Sequence, residues 1–185
     1  LNIKLVDSTI KILPATVTVT TEGGTWSYDG KAHGNDNVQV SGLVEGESVT
    51  VRATGSQTEV GESNNTYEIA WDGASEDNYT VDDNLGSLVV TATDAAVYVW
   101  GAGASKVYDG TALASSEVER TLNLDGFTVE IEASGSQTDA GISANKVDTV
   151  TIRDASGKDV TKNFANIVVF PGTLEVTPAP LTVMT

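Results

Sequence analysis

The chain has 185 residues, with 10 basic against 26 acidic side chains and a net charge of −16, which excludes the Lys/Arg patches that nucleic acid or an anionic membrane surface requires. An apolar share of 39% can build a core, and a charged share of 19% is too low for a solvated disordered tail. Cysteine is absent, which removes disulfides, zinc-thiolate sites and cysteine nucleophiles together, and no apolar run reaches the roughly 18 residues of a bilayer span.

In chain order, the first element is Ile10-Lys11-Ile12-Leu13-Pro14, which repeats the character of Leu174-Glu175-Val176-Thr177-Pro178. Residues 1–14 are therefore expected to be the end of a preceding copy, and the chain, without an initiator Met, a piece of something longer. Short strands of period two follow at Val17/Val19, Val38/Val40, Val49/Val51, Tyr67/Ile69/Trp71 and Leu88/Val90, each apolar on one face. A second series comes at Val97/Val99, Val129/Ile131, Val150/Ile152, Ile167/Val169 and Leu174/Val176. No window shows apolar residues at helical spacing, so no helix longer than a turn is expected.

The two series are copies of one unit. Tyr28-Asp29-Gly30 returns as Tyr108-Asp109-Gly110, and Gly55-Ser56-Gln57-Thr58 as Gly135-Ser136-Gln137-Thr138, both 80 residues on. Later landmarks drift to 85 and 86, as Asn78-Tyr79 matches Asn163-Phe164 and Gly86-Ser87-Leu88 matches Gly172-Thr173-Leu174. The extra residues are expected in the turn-like run from Asp154 to Asp159. The copies are drawn at 15–93 and 94–179, with 180–185 as the start of a following strand. Six or seven half-buried strands in about 80 residues predict an all-β protein of two tandem antiparallel β-sandwich repeats. Neither the stretch between Leu88 and Val99 nor Thr177-Pro178-Ala179-Pro180 is a Gly/Ser tether, so the junctions are expected to be semi-rigid and the pair elongated.

These landmarks, ordered twice over about 165 of 185 residues, resemble the Ig-like tandem repeats of large bacterial surface proteins, of the YDG or MBG type. The resemblance implies an extracellular, envelope-attached bacterial protein in which such copies form a stalk or spacer beside neighbouring repeats of the same chain. It implies Ig-like sandwich units, with a β-grasp-like sheet as the alternative, and no catalytic residues. A monomer with no direct membrane insertion and no nucleic-acid partner is expected.

Tyr28, Asp29, Gly30 and Tyr108, Asp109, Gly110 read as structural turns: Gly permits φ > 0, Asp caps the turn and Tyr seals a core end. Trp26 and Trp100, near strand ends, are candidates for contact with a glycan or a host surface protein, whereas Trp71 shares its face with Tyr67 and Ile69 and belongs to the core. Asp82, Asp83, Asp154 and Asp159 are oxygen donors of the type Ca²⁺ takes, although neither segment fits an EF-hand loop, and no other cofactor is implied. The pairs Glu45/Glu47 and Glu130/Glu132 are two apart, so on a strand they share one solvated face rather than confronting each other across a cleft. His33, the one base for a serine triad, has no counterpart in the second copy.

Overall fold

The computed structural model describes residues 8–122 and 124–183. It is all-β, of sandwich type, built from several small sheets; its helical content among these residues is two single 3-10 turns, Glu76–Asn78 and Thr161–Asn163. None is long and apolar enough to cross a membrane.

By packing, the chain forms two compact units. One gathers the chain through Trp26 with Ala32–Gln57 and Gly61–Val90. The other gathers Thr91 onward with two short earlier segments, Ser27–Lys31 and Thr58–Val60.

In the first unit, β1 (Ala15–Thr21) is the centre of a sheet of order β3-β1-β7, where β3 is Val38–Ser41 and β7 is Tyr79–Asn84. A second sheet has the order β2-β8-β5, from β2 (Gly24–Ser27), β8 (Ser87–Thr91) and β5 (Gly61–Asn64). The strands β4 (Ser48–Ala53) and β6 (Tyr67–Gly73) pair as an antiparallel ribbon. The core lies where the apolar faces of β1 and β8 meet: Val17, Val19, Leu88 and Val90 are buried while the alternate residues are not. Each such side chain contributes about 2 kcal/mol by leaving water.

The second unit repeats this plan. Its sheets are β11-β9-β15, from Val118–Leu122, Val97–Gly101 and Ile167–Phe170, and β10-β16-β13, from Ala104–Val107, Gly172–Thr177 and Gly141–Asn145. The ribbon is β12 (Thr128–Ala133) with β14 (Val147–Arg153). Val97, Val99, Leu174 and Val176 hold the places of Val17, Val19, Leu88 and Val90, joined by Ile152 and Val160. The thirteen residues between β14 and β15, against five between β6 and β7, carry the length difference between the copies.

The expected antiparallel pairing needs correction. β1 runs antiparallel to β3 and parallel to β7, and β9 likewise runs antiparallel to β11 and parallel to β15. β16 is parallel to β10 and antiparallel to β13. The sheets are mixed because an alternating strand buries its apolar face equally well beside a partner of either direction. Residues 8–14 and 180–183 form no strand, and Ile10, Ile12, Leu181 and Val183 are exposed; residues 1–7, 184 and 185 of the expected flanking strands lie outside the described residues.

Candidate functional site

The two Tyr-Asp-Gly turns share a backbone but not a role. In each, the Tyr N–H donates to the end of the closing strand, Tyr28 to Thr91 O at 2.9 Å and Tyr108 to Thr177 O at 2.8 Å. The Asp carboxylate then folds the turn, Asp29 Oδ1 accepting from the Lys31 N–H and Asp109 Oδ1 from the Thr111 N–H, both at 2.9 Å. Lys106 Nζ also donates to Asp109 Oδ1 at 2.7 Å, and with the Thr111 bonds it holds that carboxyl well below the usual range. Gly30 and Gly110 sit at φ +78° and +79°. A Cβ at Gly110 would meet open space, so the cost of Gly110→Val is purely conformational, about 2 kcal/mol, and it should appear as a lower urea midpoint for the second unit. Unchanged unfolding of that variant would refute the turn role.

The tyrosine rings differ. Tyr28 is 2% exposed, its ring 5.8 Å from Phe127 and 6.1 Å from Phe164, which themselves meet edge-on at 5.3 Å. Tyr108 is 42% exposed, so of the two motif rings only that of Tyr28 is buried. Beside Tyr28, Glu59 accepts from Lys158 Nζ at 2.6 Å through Oε1 and from Asn163 Nδ2 at 2.9 Å through Oε2. The Asn163 bond first, then Lys158, keeps the Glu59 carboxyl below its ordinary range. Nothing in the local sequence links residues about a hundred positions apart.

The Gly-Ser-Gln-Thr motifs serve two buried asparagines. Asn65 Nδ2 donates to Glu22 O and Asn35 O at 2.8 and 2.7 Å, and Asn145 Nδ2 to Ala102 O and Ser115 O at 2.9 and 3.1 Å. Both are fully buried. Gly55 and Gly135 lie against them, where a Cβ would stand 2.5 Å from Asn65 Oδ1 or Asn145 Oδ1. Neither asparagine stands out in its local sequence. The signal available was that Asn65 and Asn145 keep the 80-residue offset.

The acidic candidates do not converge. Asp82 and Asp83 are neighbours on β7 and so face opposite ways, and Asp83 accepts the Tyr67 hydroxyl. Burial, then that carboxylate, push the Tyr67 phenol up to about 12. A raised folded pKa means that this contribution is whole below the unfolded value of 10.0 and is lost between there and about 12. Tyr67→Phe should therefore flatten the loss of stability across that alkaline window in a urea series, and an unchanged slope would count against the bond.

Asp154 Oδ1 is occupied by the Ser156 N–H, the Ser156 hydroxyl and the Lys158 N–H, at 2.9, 2.6 and 3.0 Å. Asp159 Oδ1 takes the Thr161 N–H and hydroxyl at 3.0 and 2.7 Å. These bonds close the inserted turn, and no group of three metal-ligating side chains occurs among the described residues. Glu45, expected on a strand with Glu47, lies instead in a turn, and Glu47 accepts the Tyr79 hydroxyl. Glu130 and Glu132 do share an exposed strand, bonded to Arg153 at 2.7 Å and Thr149 at 3.0 Å.

Of the tryptophans, Trp26 is half-buried and stacked on His33, centroids 5.2 Å apart and planes 13° apart, so it is less open than expected. Trp71 is half-buried on Tyr79. Trp100 is exposed on β9 between Tyr98 and Phe170. No family model matches the chain, and neither does any curated protein or solved structure.

Proposed function

We propose that this chain is a structural spacer, two like units of a secreted or surface-attached bacterial protein that hold other regions at a distance and perform no catalysis. The observation that supports this is where the repeated residues are spent. Val17/Val97, Gly55/Gly135, Asn65/Asn145 and Gly30/Gly110 all serve cores, pins and turns. Neighbouring units of the same kind are the partners this reading gives it, and the charge of −16 keeps a crowded array soluble and separate.

Pulling the chain by its termini in a force spectrometer tests the reading. Two separate unfolding events, each releasing one unit's length of chain, are expected of a load-bearing spacer. A single event, or hydrolysis of a glycan or peptide panel by the purified chain, would remove it.

A further inference from the structure

The outer face of the sheet β11-β9-β15 carries a row of aromatic rings that the fold does not need. Trp100 lies 5.7 Å from Phe170 with planes 12° apart, and 6.0 Å from Tyr98 with planes 26° apart. Tyr98 and Trp100 are each 36% exposed and Phe170 is 41% exposed. Register sets Phe170 and Glu119 beside Trp100 from the two flanking strands, and Val168 and Thr121 beside Tyr98. The first unit supplies an internal control. Its equivalent face, in the same register about β1, holds Thr20 with Gln39 and Asn84, and Thr18 with Ser41 and Asp82. The same architecture thus closes with six polar residues there, and the second unit's rings answer to something other than folding.

We propose that this row is a binding platform for an oligosaccharide of amino sugars bearing free ammonium groups. This goes beyond the spacer reading and does not depend on it. Near-parallel rings in a row suit the C–H faces of successive sugar rings, and the negative π faces favour a cation above them. Glu119 stands directly across from Trp100 as a carboxylate for an ammonium, and the Thr121 hydroxyl offers a second polar contact. The basic neighbour on the same strand, Arg120, pairs with Val99 and so belongs to the opposite face. With a chain charge of −16, sialylated or sulfated glycans are repelled and a cationic one is drawn in. The same charge opposes a second copy of this chain as the occupant.

The test titrates the whole chain with a glucosamine hexasaccharide, its N-acetylated form and a neutral glucose hexasaccharide, following heat and tryptophan emission. The glucosamine oligomer should bind ~10-fold more tightly than the other two. Trp100→Thr, which installs the first unit's residue and keeps the fold by circular dichroism, should weaken binding by at least ~10-fold. Glu119→Gln should erase the preference for the ammonium form, and Trp71→Phe should change nothing. The proposal is overturned by absence of binding at millimolar sugar, by binding that survives Trp100→Thr, or by equal binding of the neutral oligomer. Concentration-dependent dimerisation abolished by Trp100→Thr would also overturn it, by showing that another copy covers the row.

Discussion

Tyr28→Ala is expected to lower the stability of the second unit by about 3 kcal/mol, whereas Tyr108→Ala should cost under about 0.5 kcal/mol. The two residues share a motif and a backbone hydrogen bond, so the difference isolates the ring. Removing Tyr28 opens a cavity against Phe127 and Phe164. Removing Tyr108 leaves no enclosed cavity, since the residue is 42% exposed and lies at the surface. Tyr28→Phe, which keeps the ring, should recover most of the loss seen in Tyr28→Ala. Urea unfolding followed through Trp100, the tryptophan of that unit, reads the change. Equal midpoint shifts for the two alanine variants would show that the motif, and not its surroundings, sets the energy.

The buried asparagine pins give the second large effect. Asn145→Ala should destabilise the second unit by about 3 kcal/mol, because it leaves the part-buried Ala102 and Ser115 carbonyls without their shared donor and empties a fully buried side-chain site. Gly135→Ala should cost about as much for the opposite reason, since the new methyl meets the Asn145 side-chain Oδ1 at 2.5 Å and Asn145 Cα at 2.6 Å, the latter being backbone that cannot swing away. The two sites are in contact, so the double variant should cost less than the sum of the singles. Asn65→Ala in the first unit, followed through Trp26 and Trp71, should reproduce the Asn145 result. A wild-type midpoint for either asparagine variant would show that the amide does not pin its unit.

Acid should weaken the second unit in a defined direction. Glu59, Asp109, Asp154 and Asp159 all have carboxyls held below their ordinary range by hydrogen bonds and nearby lysine or arginine, so the unfolded chain takes up protons first. Their contribution is whole above the ordinary carboxylate range and is lost as pH falls through and below it.

Some strands were legible and others were not, and the division follows burial. Val17/Val19, Val97/Val99, Leu88/Val90 and Leu174/Val176 face the core and alternate strictly, which is the signal a strand leaves in a sequence. β5 (Gly-Glu-Ser-Asn), β10 (Ala-Ser-Lys-Val) and β13 (Gly-Ile-Ser-Ala-Asn) left none, because they flank a central strand and draw their order from its backbone hydrogen bonds. The paired carboxylates misled for a related reason. Spacing of two places side chains on one face only if the segment is a strand, and Glu45 is in a turn.

By itself the sequence determined the all-β class, the doubled plan, the turn glycines and the place of the inserted loop. Each of these is written in local chemistry: alternation, a motif that recurs, a residue without a Cβ. Tertiary structure alone decided strand direction, the division of labour between Tyr28 and Tyr108, the asparagine pins, and the aromatic row built from β9 and β15. All four depend on which distant segments become neighbours, and partner choice is settled by the packing of whole faces rather than by any residue's own preference.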